Sequence, residues 1–150
     1  MQVARQLIQP QSPKLIQFCK KAFTQHPRYK SWFFFADARV KLVLDDFGDS
    51  PQYPLGEVQL VTFEVHPKAR GQGLGGLALK TLTEGADIYS VHLSLLPAAF
   101  CDKNDALTQR QLESFYRRYG FRAERGHAKH EPGQGRQITS MIRKPEGLKR

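Results

Sequence analysis

The sequence predicts a single mixed α/β domain, and three observations carry that expectation. Strand-like apolar runs alternate along the 150 residues with stretches whose apolar positions recur at helical spacing. Residues 70–76, Arg-Gly-Gln-Gly-Leu-Gly-Gly, place a glycine-rich loop between one such strand and the helix after it. No internal repeat or low-complexity tract interrupts the chain, and its length is enough to bury one core.

The elements follow in order. Val3–Ile8 reads as a first strand, closed by Pro10. Ser12 and Pro13 open a helix, the serine as N-cap and the proline at the first helical position. Leu15, Ile16, Phe18, Cys19, Ala22 and Phe23 give that helix its apolar stripe, and His26-Pro27 ends it. Trp32–Ala36 and Val40–Leu44 read as a hairpin about a turn at Asp37-Ala38-Arg39. Residues 45–56 are rich in Gly, Pro and Asp and read as a loop. Glu57–Val65 is a long strand that feeds the glycine loop. Leu74–Ala86 then has apolar residues at 74, 77, 78, 79, 82 and 86, mostly one helical face. Ser90–Leu96 is the next strand, and 97–107 is irregular. Thr108, with Gln111 three residues on, forms a capping box for a helix that runs to Tyr119 and stops at Gly120. Phe121 starts a strand, Gly126–Arg136 is a polar loop, and Gln137–Ile142 is the last strand. The order is β-α-β-β-β-α-β-α-β-β.

Composition narrows the function classes. No apolar run approaches the ~18 residues of a membrane span, and Met1–Gln6 lacks the apolar core of a signal peptide. Cys19 and Cys101 have no metal-type spacing, so free thiols in a reducing, cytoplasmic setting are expected. His127 and His130 form a metal-like pair without cysteine partners, and no metal is expected. The net charge is +9, and it is uneven. Residues 1–36 hold six basic and no acidic side chains, 37–116 hold seven and eleven, and 117–150 hold ten and three. Basic ends around a mildly acidic centre steer acidic partners, nucleic acid or phosphates among them.

The glycine loop is the chemically informative segment. Arg70, Gly71, Gly73 and Gly75 fit the pattern R-x-x-G-x-G. Glycines let successive backbone N–H groups turn toward one point, and a helix starting there adds its own unpaired N–H groups and the positive end of its dipole. The product is a cradle for a phosphate or pyrophosphate. A Walker loop would need Gly-Lys-Ser/Thr, which is absent. A dinucleotide fingerprint fits Gly71, Gly73 and Gly76 in part, but the loop sits mid-chain with no βαβ unit before it.

The run Val65-His66-Pro67-x-x-Arg70-Gly71-x-Gly73-Leu74-Gly75 closely resembles the acetyl-CoA signature of the GCN5-related N-acetyltransferases (GNAT). About forty residues on, Phe115-Tyr116-Arg117-Arg118-Tyr119-Gly120-Phe121 looks like the F-Y-x-x-x-G-F element that ends the last major helix of that superfamily. The resemblance is specific from about Glu57 to Phe121. It implies the GNAT fold: a central, mostly antiparallel sheet with flanking helices and a splayed strand pair at the CoA site. It also implies an acetyl-CoA-dependent N-acetyltransferase in which a primary amine attacks the thioester directly, within a ternary complex.

The resemblance assigns expectations to residues. Arg70, Gly71, Gln72, Gly73, Leu74, Gly75 and Gly76 bind the cofactor's pyrophosphate, and a backbone N–H at or beside Val65 binds the acetyl carbonyl. Tyr116 protonates the leaving thiolate and borders CoA. Gln109 stands where many relatives carry an Asn that contacts the pantetheine arm. Relatives often place a Glu or His near Gln59 and Val61, and neither residue here titrates. Glu57, on the nominal face of Gln59, and Glu64, on the other, are the candidate bases, Glu57 through a water held by Gln59. A bulge in this strand would change that phase. Residues 95–108, with Pro97, Phe100, Asp102 and Asp105, are expected at the acceptor mouth, and Cys101 as an ordinary thiol. The acceptor is an amine of unspecified class, with an acidic or nucleic-acid-linked carrier among the candidates, and the protein is expected as a monomer or homodimer. The competing reading is a catalytically silent module of the same fold that binds nucleic acid or another acidic partner.

Overall fold

The structure is a computed structural model that describes residues 9–97, 109–130 and 137–146, with side chains described outside 125–130 and 137–139. The expected strand at Val3–Ile8, the Thr108 cap, Phe100, Cys101, Asp102 and Asp105 fall outside it, as do the side chains of His127 and His130. The elements are α1 (Ser12–Ala22), β1 (Thr24–Gln25), β2 (Trp32–Phe35), β3 (Val40–Gly48), β4 (Glu57–Val65), a 3-10 turn (Pro67–Ala69), α2 (Leu74–Tyr89), β5 (His92–Leu95), α3 (Gln109–Arg118), β6 (Phe121–His130) and β7 (Gln137–Arg143). The described strands form one sheet in the order β1-β2-β3-β4-β5-β7-β6. Every neighbouring pair is antiparallel except β4 and β5, which are parallel and joined by α2.

One face of the sheet carries the core. Val40, Leu42 and Leu44 of β3, Val58 and Leu60 of β4, and Leu93 and Leu95 of β5 are buried there. The buried residues Leu15 and Cys19 of α1, Ala78, Leu79, Leu82 and Ala86 of α2, and Tyr116 of α3 close over them. Burial pushes the Cys19 thiol up to about 12, so it stays protonated and inert. The β4-α2-β5 and β5-α3-β6 connections both carry the chain in the same direction across the sheet. Their right-handed crossovers put both helices on this face. At the far end of these helices, Arg143 of β7 is 4% exposed. Its guanidinium donates to both carboxylate oxygens of Asp87 on α2, at 2.7 and 3.1 Å, and to the Tyr119 carbonyl just past α3, at 2.7 Å. Sequence reading missed Arg143, because a basic residue near a basic C-terminus carries no mark of burial.

Several boundaries differ from the sequence-based expectation. Gln11, not Ser12, is the N-cap of α1, and Ser12 is buried against Gly56, where an added Cβ would lie 2.7 Å from its hydroxyl. The helix ends at Ala22 because Thr24–Gln25 pairs with Phe33–Phe34 as an unforeseen edge strand. The expected loop from 45 begins after Gly48: Asp45 and Asp46 still pair with Gln59 and Val58, their side chains exposed. There polar composition marked the solvent-exposed end of a strand and not a break in the ladder. The helix α2 runs on to Tyr89, and β5 shortens to His92–Leu95. Residues 126–130 belong to β6, which accommodates extra residues between Ala123 and Ala128 and then pairs with β7 again. Among the described residues no helix is long and apolar enough to cross a membrane.

Candidate active site

The parallel pair β4/β5 is bonded over four rows only, from Glu57–His92 to Leu60–Leu95. There β5 ends, while β4 continues to Val65 with its other edge still paired to β3. Residues 61–65 therefore present an edge that no described strand covers, and backbone groups on such an edge suit an extended ligand.

A bulge marks the point of divergence. Val43 pairs with Thr62 and Leu44 with Leu60, so Val61 has no partner on β3 and is 52% exposed. The extra residue shifts the alternation. Val58, Leu60, Phe63 and Val65 all register with the core face, opposite Leu93, Leu95, Leu42 and Val40. Glu57, Gln59, Thr62 and Glu64 then share the opposite, open face. The nominal alternation put Glu57 and Glu64 on opposite faces; the bulge overturns that and puts both on one.

The glycine loop sits at the C-terminal end of this edge. Gly71 and Gly73 have φ of +83° and +78°, the left-handed region where other residues are strained, and an added Cβ at either would meet nothing within 4 Å. Gly73 is the N-cap of α2 and makes no side-chain cap, and the first turn of α2 holds no acidic residue. The first N–H groups of α2 are thus uncapped by protein and open to an anion. Gly75 fits close against β4, its hypothetical Cβ 3.0 Å from Val65 Cγ2. At Gly76 the hypothetical Cβ would be 2.6 Å from the Tyr119 hydroxyl, so Tyr119 packs directly on the cradle's helix. Arg70 Nε donates to the Val65 carbonyl at 3.1 Å, and Gln72 lies exposed at the rim. Leu74 begins α2 and packs against the core.

Below the cradle lies an aromatic floor. Phe63 of β4 approaches Phe115 at 6.2 Å and Tyr116 at 6.3 Å between ring centroids, and Tyr116 meets Phe121 at 5.7 Å. Tyr116 is 5% exposed, and burial raises its pKa above the ordinary phenol value, so it is a neutral O–H throughout the working range. Gln109, at the start of α3, donates through Nε2 to the Pro97 carbonyl and to Glu113. It ties the helix to the end of β5.

On the open face, sequence reading missed three residues of the row beneath the divergence. His92 is opposite Glu57, and Ser94 is opposite Gln59. The Tyr53 ring lies over His92, with centroids 4.1 Å apart. Desolvation, and then the charge of Lys144, hold the His92 pKa below the usual imidazole value. Burial, Glu124 and Glu57 raise that of Tyr53. Ser94 is 7% exposed, and its hydroxyl has no hydrogen-bond partner among the described residues. Only strand register, which the sequence does not display, brings these groups together.

At the level of sequence, no family profile and no curated protein matches the chain. Solved structures match its fold. Ard1 from Thermoplasma volcanium aligns at a TM-score of 0.51 and 14% identity, over 91% of this chain and 93% of that one. An acetyltransferase from Corynebacterium glutamicum, described as histone acetyltransferase HPA2 and related acetyltransferase, aligns at 0.53 and 12%, over 93% of each. Arabidopsis thaliana Naa50, solved with the bisubstrate analogue CoA-Ac-MVNAL, aligns at 0.54 and 12%, over 87% of this chain and 90% of that one. The chain has the GNAT acetyltransferase fold.

Proposed function

We propose that the protein is an acetyl-CoA-dependent N-acetyltransferase that moves an acetyl group to a primary amine by direct attack in a ternary complex. One observation carries the reading. An uncapped helix N-terminus with an open glycine loop stands at one end of a free strand edge, and a buried neutral tyrosine lies beneath that edge. A long ligand with an anionic head and an amide-bearing arm fits that combination. The shared fold with Naa50, whose structure holds a CoA–acetyl–peptide analogue, supports it.

In this reading acetyl-CoA is the co-substrate and supplies the activated acyl group. Arg70, Gly71, Gln72, Gly73, Leu74, Gly75 and Gly76 hold its pyrophosphate through backbone N–H groups and the helix dipole. The free edge of β4 up to Val65 pairs with the pantetheine amides, and a backbone N–H there receives the carbonyl oxygen as it gains charge. Gln109 fixes the start of α3 beside the arm. Tyr116 gives its proton to the departing thiolate, and the open face of β4, with Glu57, Gln59 and Glu64, receives the amine and its proton. The aromatic floor keeps water from the thioester.

The test is acetyl-CoA with a broad panel of small, peptidyl and nucleic-acid-linked amines, read by thiol release and by the mass of the product. Acetylation of any member supports the reading. Tight, salt-sensitive nucleic-acid binding without thiol release would replace it with the non-enzymatic module that the basic chain ends suggest.

A further inference from the structure

We infer that His92, acting through a water held by the Ser94 hydroxyl and Gln59, takes the proton of the acceptor amine. This rests on the acetyltransferase reading and names a residue that the glycine and tyrosine motifs do not reach.

Four observations converge. The Gln59–Ser94 row lies one residue short of the last bonded row, Leu60–Leu95, where the strands part. That is about 3.3 Å along the strand, and the Glu57–His92 row lies about 7 Å further. All four side chains register with the same open face. Ser94 Oγ is buried and unpartnered among the described residues, and a buried hydroxyl in that state is a place for water or substrate. His92 is half-buried and lies under the Tyr53 ring, which restricts the imidazole plane. Side chains on one strand face thus offer a path from the divergence, by way of the Gln59–Ser94 row, to a base three residues away.

Chemistry favours the imidazole over the carboxylates. A carboxylate is in general a weaker acceptor for an ammonium proton than an imidazole. The groups around His92 are Glu57 across on β4, the Tyr53 ring from the β3–β4 loop, and Lys144 just past β7. Glu124 of β6 acts on Tyr53 and accepts from Ser140 at 2.9 Å. Burial and Lys144 keep His92 neutral at pH 7, ready to accept. The step balances. The ammonium N–H bond breaks, its electron pair stays on nitrogen, and the proton passes through the water to an imidazole nitrogen. The neutral amine attacks the thioester carbon, the C–S bond breaks, and the thiolate takes the Tyr116 proton. Solvent later removes the proton from His92 and reprotonates Tyr116.

The test is kcat/KM against pH with one accepted amine, for wild type, His92→Gln, Ser94→Ala and Lys144→Met, with CoA affinity measured alongside. His92→Gln should lose the acidic limb and fall by ~10²-fold at pH 7 with CoA affinity retained. Ser94→Ala should fall by about 10-fold and keep the limb. Lys144→Met removes a repelling charge, so the His92 pKa rises and the limb moves to higher pH. That movement tests the inference even if His92→Gln does not fold, and a purely structural His92 would not produce it. An acidic limb that survives in His92→Gln, or that stays in place in Lys144→Met, overturns the inference and leaves the acetyltransferase reading standing. Absence of wild-type turnover with every amine overturns both.

Discussion

The two ends of β4 are built from different materials. At its C-terminal end the cradle is backbone: uncapped N–H groups, two left-handed glycines and a helix dipole, with side chains kept out. Near its start the polar row is side chain: Glu57, Gln59, His92 and Ser94, brought together by strand register and by a bulge at Val61. A backbone site depends on local geometry and tolerates little change of residue. A side-chain site depends on which residues the register places opposite one another, and single groups in it can be exchanged at moderate cost. Substitutions at the two ends should therefore fail in different ways, binding at the cradle and proton handling at the row.

The largest effect belongs to the cradle. Gly73→Asp puts an L side chain at φ +78° and a negative charge beside the first N–H groups of α2. CoA binding should weaken by at least ~100-fold, through strain and charge repulsion together. Calorimetry on the folded variant decides, and unchanged affinity would remove the phosphate role from this loop.

Next is the aromatic floor between the two ends. Tyr116→Phe keeps the packing against Phe63, Phe115 and Phe121 and removes the O–H. Turnover should fall by ~10²-fold with CoA affinity kept. Because burial holds this phenol above its usual pKa, wild type should show no basic limb from Tyr116 below pH ~10. Full turnover in the variant would make Tyr116 a packing residue.

A third substitution tests whether the floor is held from below. Arg143→Met leaves Asp87, 29% exposed at its side chain, and the Tyr119 carbonyl without the guanidinium. Breaking a buried pair costs about 3–5 kcal/mol, and the partial exposure of Asp87 puts this one near or below the lower end. Urea melts should show the loss. A cost under about 1 kcal/mol would class the pair with surface ion pairs.

Legibility in the sequence follows the same division. Backbone sites need glycine, so Gly71, Gly73 and Gly75 declared the cradle, and β4 appeared at its observed bounds, Glu57–Val65, because β-branched residues run up to the loop. Tyr116 was singled out by the resemblance of Phe115–Phe121 to the F-Y-x-x-x-G-F element, not by spacing. The polar row was not. His92 and Ser94 look like ordinary strand residues until β5 is set beside β4, and the phase of Glu64 depends on a bulge that no residue type announces. The Asp45–Gly48 extension of β3 was hidden for a related reason: exposed aspartates at the end of a strand share their composition with a loop.

The smallest effect separates the two glutamates that now share a face. Glu57 stands opposite His92, near the start of β4, whereas Glu64 lies exposed past the bulge, opposite Lys41 of β3. Glu57→Gln removes a carboxylate from the row opposite His92, so kcat/KM should fall only a few-fold, about 3 to 10, as for a neighbour and not for the proton acceptor itself. Glu64→Gln should stay within about 2-fold in kcat/KM and within about 0.5 kcal/mol in stability, as surface changes do. Both variants should keep the acidic limb of the pH profile. Loss of the limb in Glu57→Gln alone would move the base from His92 to the carboxylate across the row. Loss in Glu64→Gln would place proton removal beyond the bulge, on the stretch of β4 that runs up to the cradle, and the division between a binding end and a proton-handling end would fail.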